Sequence, residues 1–206
     1  MRTVARVLSV LLHPVWMPTL LVVMIFSLDP YLALAYGNSI QVLVLYGMVL
    51  VMTALFPLMS TWMLQRSGVV GSLQLPLRRD RIPVMLVTLL YHGMAYWLLR
   101  RTIAHPPTLS LLFGSLLALA LASLITLRWK ISLHQLGFGG VVGALSALVL
   151  VDRLYVPALL ATAFVAWGAL GSARLLVGDH SPAQVHAGGA LGAVVMFASV
   201  MFGWWI

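Results

Sequence analysis

Cysteine is absent from the chain, which excludes disulfide bridges, thiolate nucleophiles and cysteine-ligated zinc. Charge is nearly as scarce. Charged residues make up 8% of the sequence, against about a quarter in a soluble domain, so water is not this protein's main solvent. No polar stretch is long enough to form a separate soluble domain. No small-residue cleavage site precedes a polar mature region, so the first apolar run is expected to persist as a helix. The apolar and polar alternation of membrane β-strands, which runs over about 10 positions, is also missing.

What fills the chain instead is continuous apolar sequence, 62% of its 206 residues. A bilayer core needs about 20 apolar residues per helix. Runs of that order cover 8–28, 39–64, 82–99, 107–127, 135–151, 155–171 and 182–205. The expected fold is an all-α polytopic bundle of six to seven spans forming one domain, with two N-terminal spans (8–64) ahead of a core at 74–205. The net charge of +8 would suggest nucleic acid in a soluble protein. In short loops between spans it suits anionic lipid headgroups and the positive-inside bias instead, so membrane lipids rather than nucleic acid are the expected partners.

The polar minority collects at three junctions: residues 74–83 (QLPLRRDRIP), 128–135 (RWKISLHQ) and 174–184 (RLLVGDHSPAQ). Two spans separate each from the next, and an even number of crossings returns the chain to the same side. The three junctions and the N-terminus are therefore expected on one face, with Asp29, Arg100, Arg101, Asp152 and Arg153 on the other. Ser132-x-x-Gln135 and Ser181-x-x-Gln184 both read as capping boxes, and Pro182 falls at the favoured first helical position. Gly139-x-x-x-Gly143 and Gly188-x-x-x-Gly192 follow them and permit close helix approach, so these two helix starts are candidate neighbours.

Arg78, Arg79, Arg81, Lys130 and Arg174 would gather positive charge on that face, and helix N-termini add backbone donors. Arginine forks match phosphate oxygens. His134 and His180 supply the acid and nucleophile that hydrolysis through a covalent intermediate requires.

Arg174-x5-His180 followed by Ser-Pro-Ala-Gln-Val resembles the third signature of the type 2 phosphatidic acid phosphatase superfamily, S-R-x5-H-x3-D, with Ala173 in place of Ser and Gln184 in place of Asp. The second signature, P-S-G-H, is matched at Ser132 and His134. The first, K-x6-R-P, is met at Arg81, with Gln74 where Lys belongs and Pro83 one residue late. The resemblance covers roughly residues 74–192 and leaves the two N-terminal spans outside it. It implies that His180 attacks phosphorus, that His134 protonates the leaving alkoxide, and that Arg81, Ser132 and Arg174 hold the phosphate oxygens without metal or other cofactor. Arg79 and Lys130 are placed nearby on charge grounds.

The expected activity is a lipid phosphatase acting on a lipid phosphomonoester or pyrophosphate, set in a bacterial inner membrane. The competing expectation is a relative that binds phospholipid headgroups without turnover, because an amide at Gln184 can orient an imidazole but not neutralise it. Plainer readings stand beside these. The arginines of the first junction serve equally as a positive-inside loop, and Gln184 as the capping partner of Ser181. His13, His92 and His105 are set apart as interfacial or packed, and His186 is read as packing. A metal site from His134, Asp179, His180 and His186 lacks a recognised ligand spacing. Arg2 and Arg6 favour a cytoplasmic N-terminus. Once the junction cations assigned to phosphate are left out, the remaining basic residues divide almost evenly and do not decide the side.

Overall fold

The computed structural model describes residues 2–28, 37–102, 106–151 and 155–203. Asp29, His105, Asp152, Arg153 and the end of the last apolar run fall outside them. Among the described residues, nine α-helices build seven stretches long and apolar enough to cross a membrane, and there is no strand. The protein is an all-α integral membrane protein.

The first span is broken. α1 (Arg2–Leu11) and α2 (Met17–Leu28) flank a 3-10 turn, Pro14–Trp16, whose start is capped by His13 Nδ1 accepting from the Val15 N–H at 3.3 Å. Pro14 cannot continue the α1 ladder. The break lets α1 pack on a later helix while α2 packs into the bundle. The second span runs from α3 (Ser39–Leu50) through a π-helical segment, Val51–Leu55, into α4 (Phe56–Arg66). Pro57 has no N–H to offer the Thr53 carbonyl, and the helix widens just before it, with the Phe56 N–H reaching back to Val51. Asn38 and Gln41 form a reciprocal capping box at the start of α3, beyond the two expected from the junctions.

The remaining spans are α5 (Arg78–Thr102), α6 (Pro106–Thr126), α7 (Leu133–Val151), α8 (Pro157–Val177) and α9 (Pro182–Phe202). α5 begins four residues ahead of the apolar run, because Pro83 lies early enough to cost a single helix bond, to the Arg79 carbonyl. Arg78 to Arg81 thereby become helical.

α7 and α9 form the most extensive contact in the bundle. Their small residues interdigitate: a Cβ on Gly139 or Gly143 would strike the carbonyls of Gly189 or Ala193, and one on Gly192 the carbonyl of Leu136. Apolar burial drives little association within lipid, so such close backbone approach is what holds membrane helices together. The Ser132 N–H donates to the Gln184 carbonyl at 3.2 Å, making the two helix starts direct neighbours. Only one of the two expected capping boxes is reciprocal. Ser181 and Gln184 exchange both bonds, whereas Gln135 Nε2 donates instead to the Trp167 carbonyl at 3.3 Å.

The buried core joins α2, α3, α6, α7 and α9 through residues such as Val22, Val49, Leu111 and Leu145. Large apolar side chains also cover the outside, among them Val4, Leu43, Met63, Leu90, Val165 and Phe202. Hydrocarbon is the solvent that accepts such a surface.

Candidate active site

α8 ends at Gly178, whose φ of 86° lies in the left-handed region that glycine enters without Cβ strain. The turn delivers Asp179, His180 and Ser181 between the end of α8 and the start of α9. Arg174, in the last turn of α8, is buried; it donates to Asp179 Oδ2 at 2.6 Å and to Ser9 Oγ at 3.2 Å. Its Nε–H is buried and has no partner among the described residues.

Lys130 binds the three junctions together, donating to the carbonyls of Pro76 at 3.1 Å and Asp179 at 2.8 Å. Arg81 adds a second tie, from Nε to the Leu75 carbonyl at 2.9 Å and from Nη1 to the Ile131 carbonyl at 3.1 Å. Leu75 adopts a φ of 50°, unusual for a side chain with a Cβ, and its carbonyl is the one Arg81 uses. Arg81 is buried with no carboxylate within 4.0 Å among the described residues, and three of its five N–H donors remain unspent. The shared face expected from counting spans is therefore realised.

His180 Nδ1 lies 3.1 Å from Gln184 Oε1. An amide oxygen only accepts, so Nδ1 carries the proton and Nε2 presents a lone pair. The same Oε1 accepts the Ser181 N–H at 3.3 Å, and Ser181 Oγ accepts the Gln184 N–H at 3.4 Å. Gln184 thus caps the helix and orients the imidazole at once. Burial, then the charge of Arg81, then those of Lys130 and Arg174, push the His180 pKa down to about 4 against the opposing bond from Gln184. His180 is therefore neutral at pH 7. Lys130 is also lowered, first by burial and then by Arg81 and Arg174, with Asp179 opposing.

A cavity of about 980 Å³ opens among α1, α2, α4, α5, α6 and α7, with α8 and α9 contributing Arg174, Val177 and Met196. Its polar end is lined by Arg81, Arg174, Asp179, His180 and His134, and its other end by side chains such as Leu21, Met85, Leu119 and Met196. His134 Nε2 lies 3.1 Å from the Ser9 carbonyl, so its proton sits on Nε2 and is spent on that carbonyl. The His13 ring stands edge-on to His134 at a centroid distance of 5.0 Å.

Three residues expected at the phosphate, Ser132, Arg79 and Lys130, do not line this cavity. Ser132 is fully buried beneath the α7 start, where its Oγ faces the Gln135 N–H at 3.5 Å. Arg79 projects outward, its side chain 84% exposed, with Nε 3.6 Å from Asp80. Lys130 staples the junctions without lining the cavity, and Gln184 acts through His180. Asp179 pairs with Arg174 rather than His180, so it does not stand in for the carboxylate that Gln184 lacks. His186 is exposed, and no three His, Cys, Asp or Glu side chains gather as metal ligands among the described residues.

The first span, which lies outside the resemblance, forms part of the cavity wall. Arg6, Ser9 and His13 all line the cavity. Their spacing with Arg2, at steps of four, three and four, is a polar stripe along one helix face, and it straddles the start of the apolar run at 8–28. Arg81, Met85, Thr88 and His92 repeat that spacing on α5, which brings His92 to the cavity wall as well. No family model, curated protein or solved structure matches this chain.

Proposed function

We propose that the protein is a lipid phosphatase whose substrate enters the cavity with its phosphate at the arginine end and its apolar chain along the other. The observation that carries this reading is Arg81, a buried cation facing the cavity with no carboxylate within 4.0 Å, the nearby Asp179 being paired to Arg174, beside a histidine with a free Nε2. A buried unpaired charge is costly, and an anion entering the cavity removes that cost. The membrane setting makes an amphiphilic phosphate the fitting anion, and the resemblance of Arg174, His180 and His134 to the phosphatidic acid phosphatase signatures points to the same chemistry.

In this reading His180 Nε2 attacks phosphorus and the phosphorus–oxygen bond to the lipid breaks. The departing alkoxide takes a proton, and water then cleaves the phosphorus–nitrogen bond to release inorganic phosphate and neutral His180. His134 supplies the alkoxide's proton as an imidazolium, protonated on both ring nitrogens and turned from Ser9, and the water that cleaves the phosphorus–nitrogen bond returns a proton to it. Phosphate release from a panel of lipid phosphomonoesters and pyrophosphates tests the reading. The purified protein should release phosphate from at least one, and His180→Ala from none; equal release by both would sink it.

A second reading, headgroup binding without turnover, is favoured by the Arg174–Asp179 pair and by the His134 proton held on Ser9. It calls for saturable binding of lipid phosphate that is lost in Arg174→Gln and unaccompanied by phosphate release.

A further inference from the structure

The apolar end of the cavity is not uniformly apolar. His92 is 8% exposed and lines the cavity from α5, with Nδ1 2.9 Å from the Thr88 carbonyl. A carbonyl only accepts, so the proton is on Nδ1 and Nε2 is an acceptor; nothing among the described residues bonds it. Thr88 Oγ1 donates to the Val84 carbonyl at 2.7 Å and Ser115 Oγ to the Leu112 carbonyl at 2.8 Å, both from the cavity wall. Each hydroxyl has spent its proton on its own helix and has lone pairs left. Thr53 Oγ1, donating to the Val49 carbonyl at 2.8 Å, does the same on the π-helical segment, a distortion that occurs mostly at functional sites.

His92 and Ser115 share a depth, with Thr88 one helical turn nearer the junctions. His92 lies eleven residues beyond Arg81, about 16 Å along a helix rising 1.5 Å per residue. Ser115 lies eleven residues from the end of α6 that faces the junctions, the same distance again. A Cβ on Gly93 would meet Leu116 Cδ1 at 4.0 Å, which sets α5 and α6 side by side at that level. An ionisable side chain at mid-membrane depth is costly and marks function more often than packing.

We propose that His92, Thr88 and Ser115 form a second subsite, built from acceptors, that binds a hydroxyl carried on the apolar chain of the ligand about 16 Å from its phosphate. The complementarity is one of hydrogen-bond polarity. A wall that has spent its protons takes a donor, and an unsubstituted hydrocarbon leaves those lone pairs without partners. The subsite narrows the substrate class to lipid phosphates with a hydroxylated chain, and in that respect it rests on the phosphatase reading.

Matched pairs of amphiphiles test it on the full chain in nanodiscs, using alkyl phosphonates and alkyl glucosides with and without a hydroxyl at successive positions along the chain. The hydroxylated phosphonate should bind roughly five- to tenfold more tightly at the matching position. The preference should fall to unity in His92→Leu and weaken in Ser115→Ala, the milder variant should the first fail to fold. The glucoside pair should show the same preference without any phosphate, which separates the two ends. Loss of phosphonate binding in wild type with the glucoside preference intact would count against the phosphatase reading alone. Equal affinity of the hydroxylated and plain members of both pairs overturns the subsite, as does a preference unchanged in both variants.

Discussion

His180 is held by an amide where the family it resembles has a carboxylate, and the difference is measurable. Gln184 sets the tautomer through Oε1 but brings no charge to the imidazole as it becomes cationic. The reverse exchange, Asp to Asn in a protease triad, lowers turnover about 10⁴-fold. Gln184→Asp is therefore expected to raise kcat by roughly tenfold or more, a gain in the same sense on a smaller scale. Steady-state phosphate release would show it, and an unchanged kcat would remove the electrostatic argument. Protonation is readable too. With the His180 pKa held at about 4, its nucleophilic form persists well below the ordinary histidine range, so the acid limb of the rate profile should fall near pH 4 rather than about 6.5. The neutral, buried His180 also costs stability as pH drops from about 6.5 towards 4, because the unfolded chain takes up the proton first. Arg174, His180 and His134 were legible in the sequence as residues on one face, and all three line the cavity. Ser132 and Arg79 were not legible as outsiders, since spacing places a residue on a junction without saying which way its side chain turns. Ser9 and His13 were missed because their partners stand on α7 and α8, more than a hundred residues away.

Among the helices, close glycine contacts and one glycine turn position the site. The α7–α9 packing keeps Ser132 against Gln184, and through Gln184 it sets the His180 ring. Gly139→Leu drives a side chain into the Gly189 backbone and is expected to cost about 1–3 kcal/mol of stability, as overpacking does. Thermal unfolding in detergent would measure it, with loss of activity exceeding what unfolding explains because the His180 ring loses its support. Gly178→Val acts by another route. It forces a β-branched side chain into the left-handed region, at a penalty of roughly 1–2 kcal/mol, and should displace His180 relative to Arg174. Glycine spacing and the Ser181 cap were visible in the sequence, and they marked α7 and α9 as neighbours by spacing alone. The break at Pro14 and the widening ahead of Pro57 were not visible there. Proline announces a disturbed helix, but whether it kinks, breaks or widens depends on what the neighbouring helices fill.

Seven spans and three junctions tied by Lys130 and Arg81 give the described residues a polarity: the junctions and the α1 start on one face, the opposite helix ends on the other. The absence of cysteine makes this directly testable. A single Arg79→Cys should react with an impermeant thiol reagent from one side of sealed vesicles, and Tyr155→Cys, at a position 91% exposed, from the other. Labelling of both from one side would break the seven-span topology. Fold class followed from composition and span count from the placement of apolar runs, because hydrocarbon solvent leaves few alternatives to helices. The cavity did not, because its walls come from eight helices whose apolar faces look alike in sequence whether they meet lipid, one another or a ligand.

Whether His180 carries the phosphoryl group decides the mechanism, and trapping that intermediate addresses it even while the natural lipid is unidentified. The purified protein, mixed with a panel of phosphorus-labelled lipid phosphates and quenched in alkali, should retain label on a peptide containing His180. The label should vanish on acid treatment and be absent from His180→Ala. Label that survives acid, label on another residue, or lipid hydrolysis by His180→Ala at the wild-type rate would contradict the phosphohistidine mechanism.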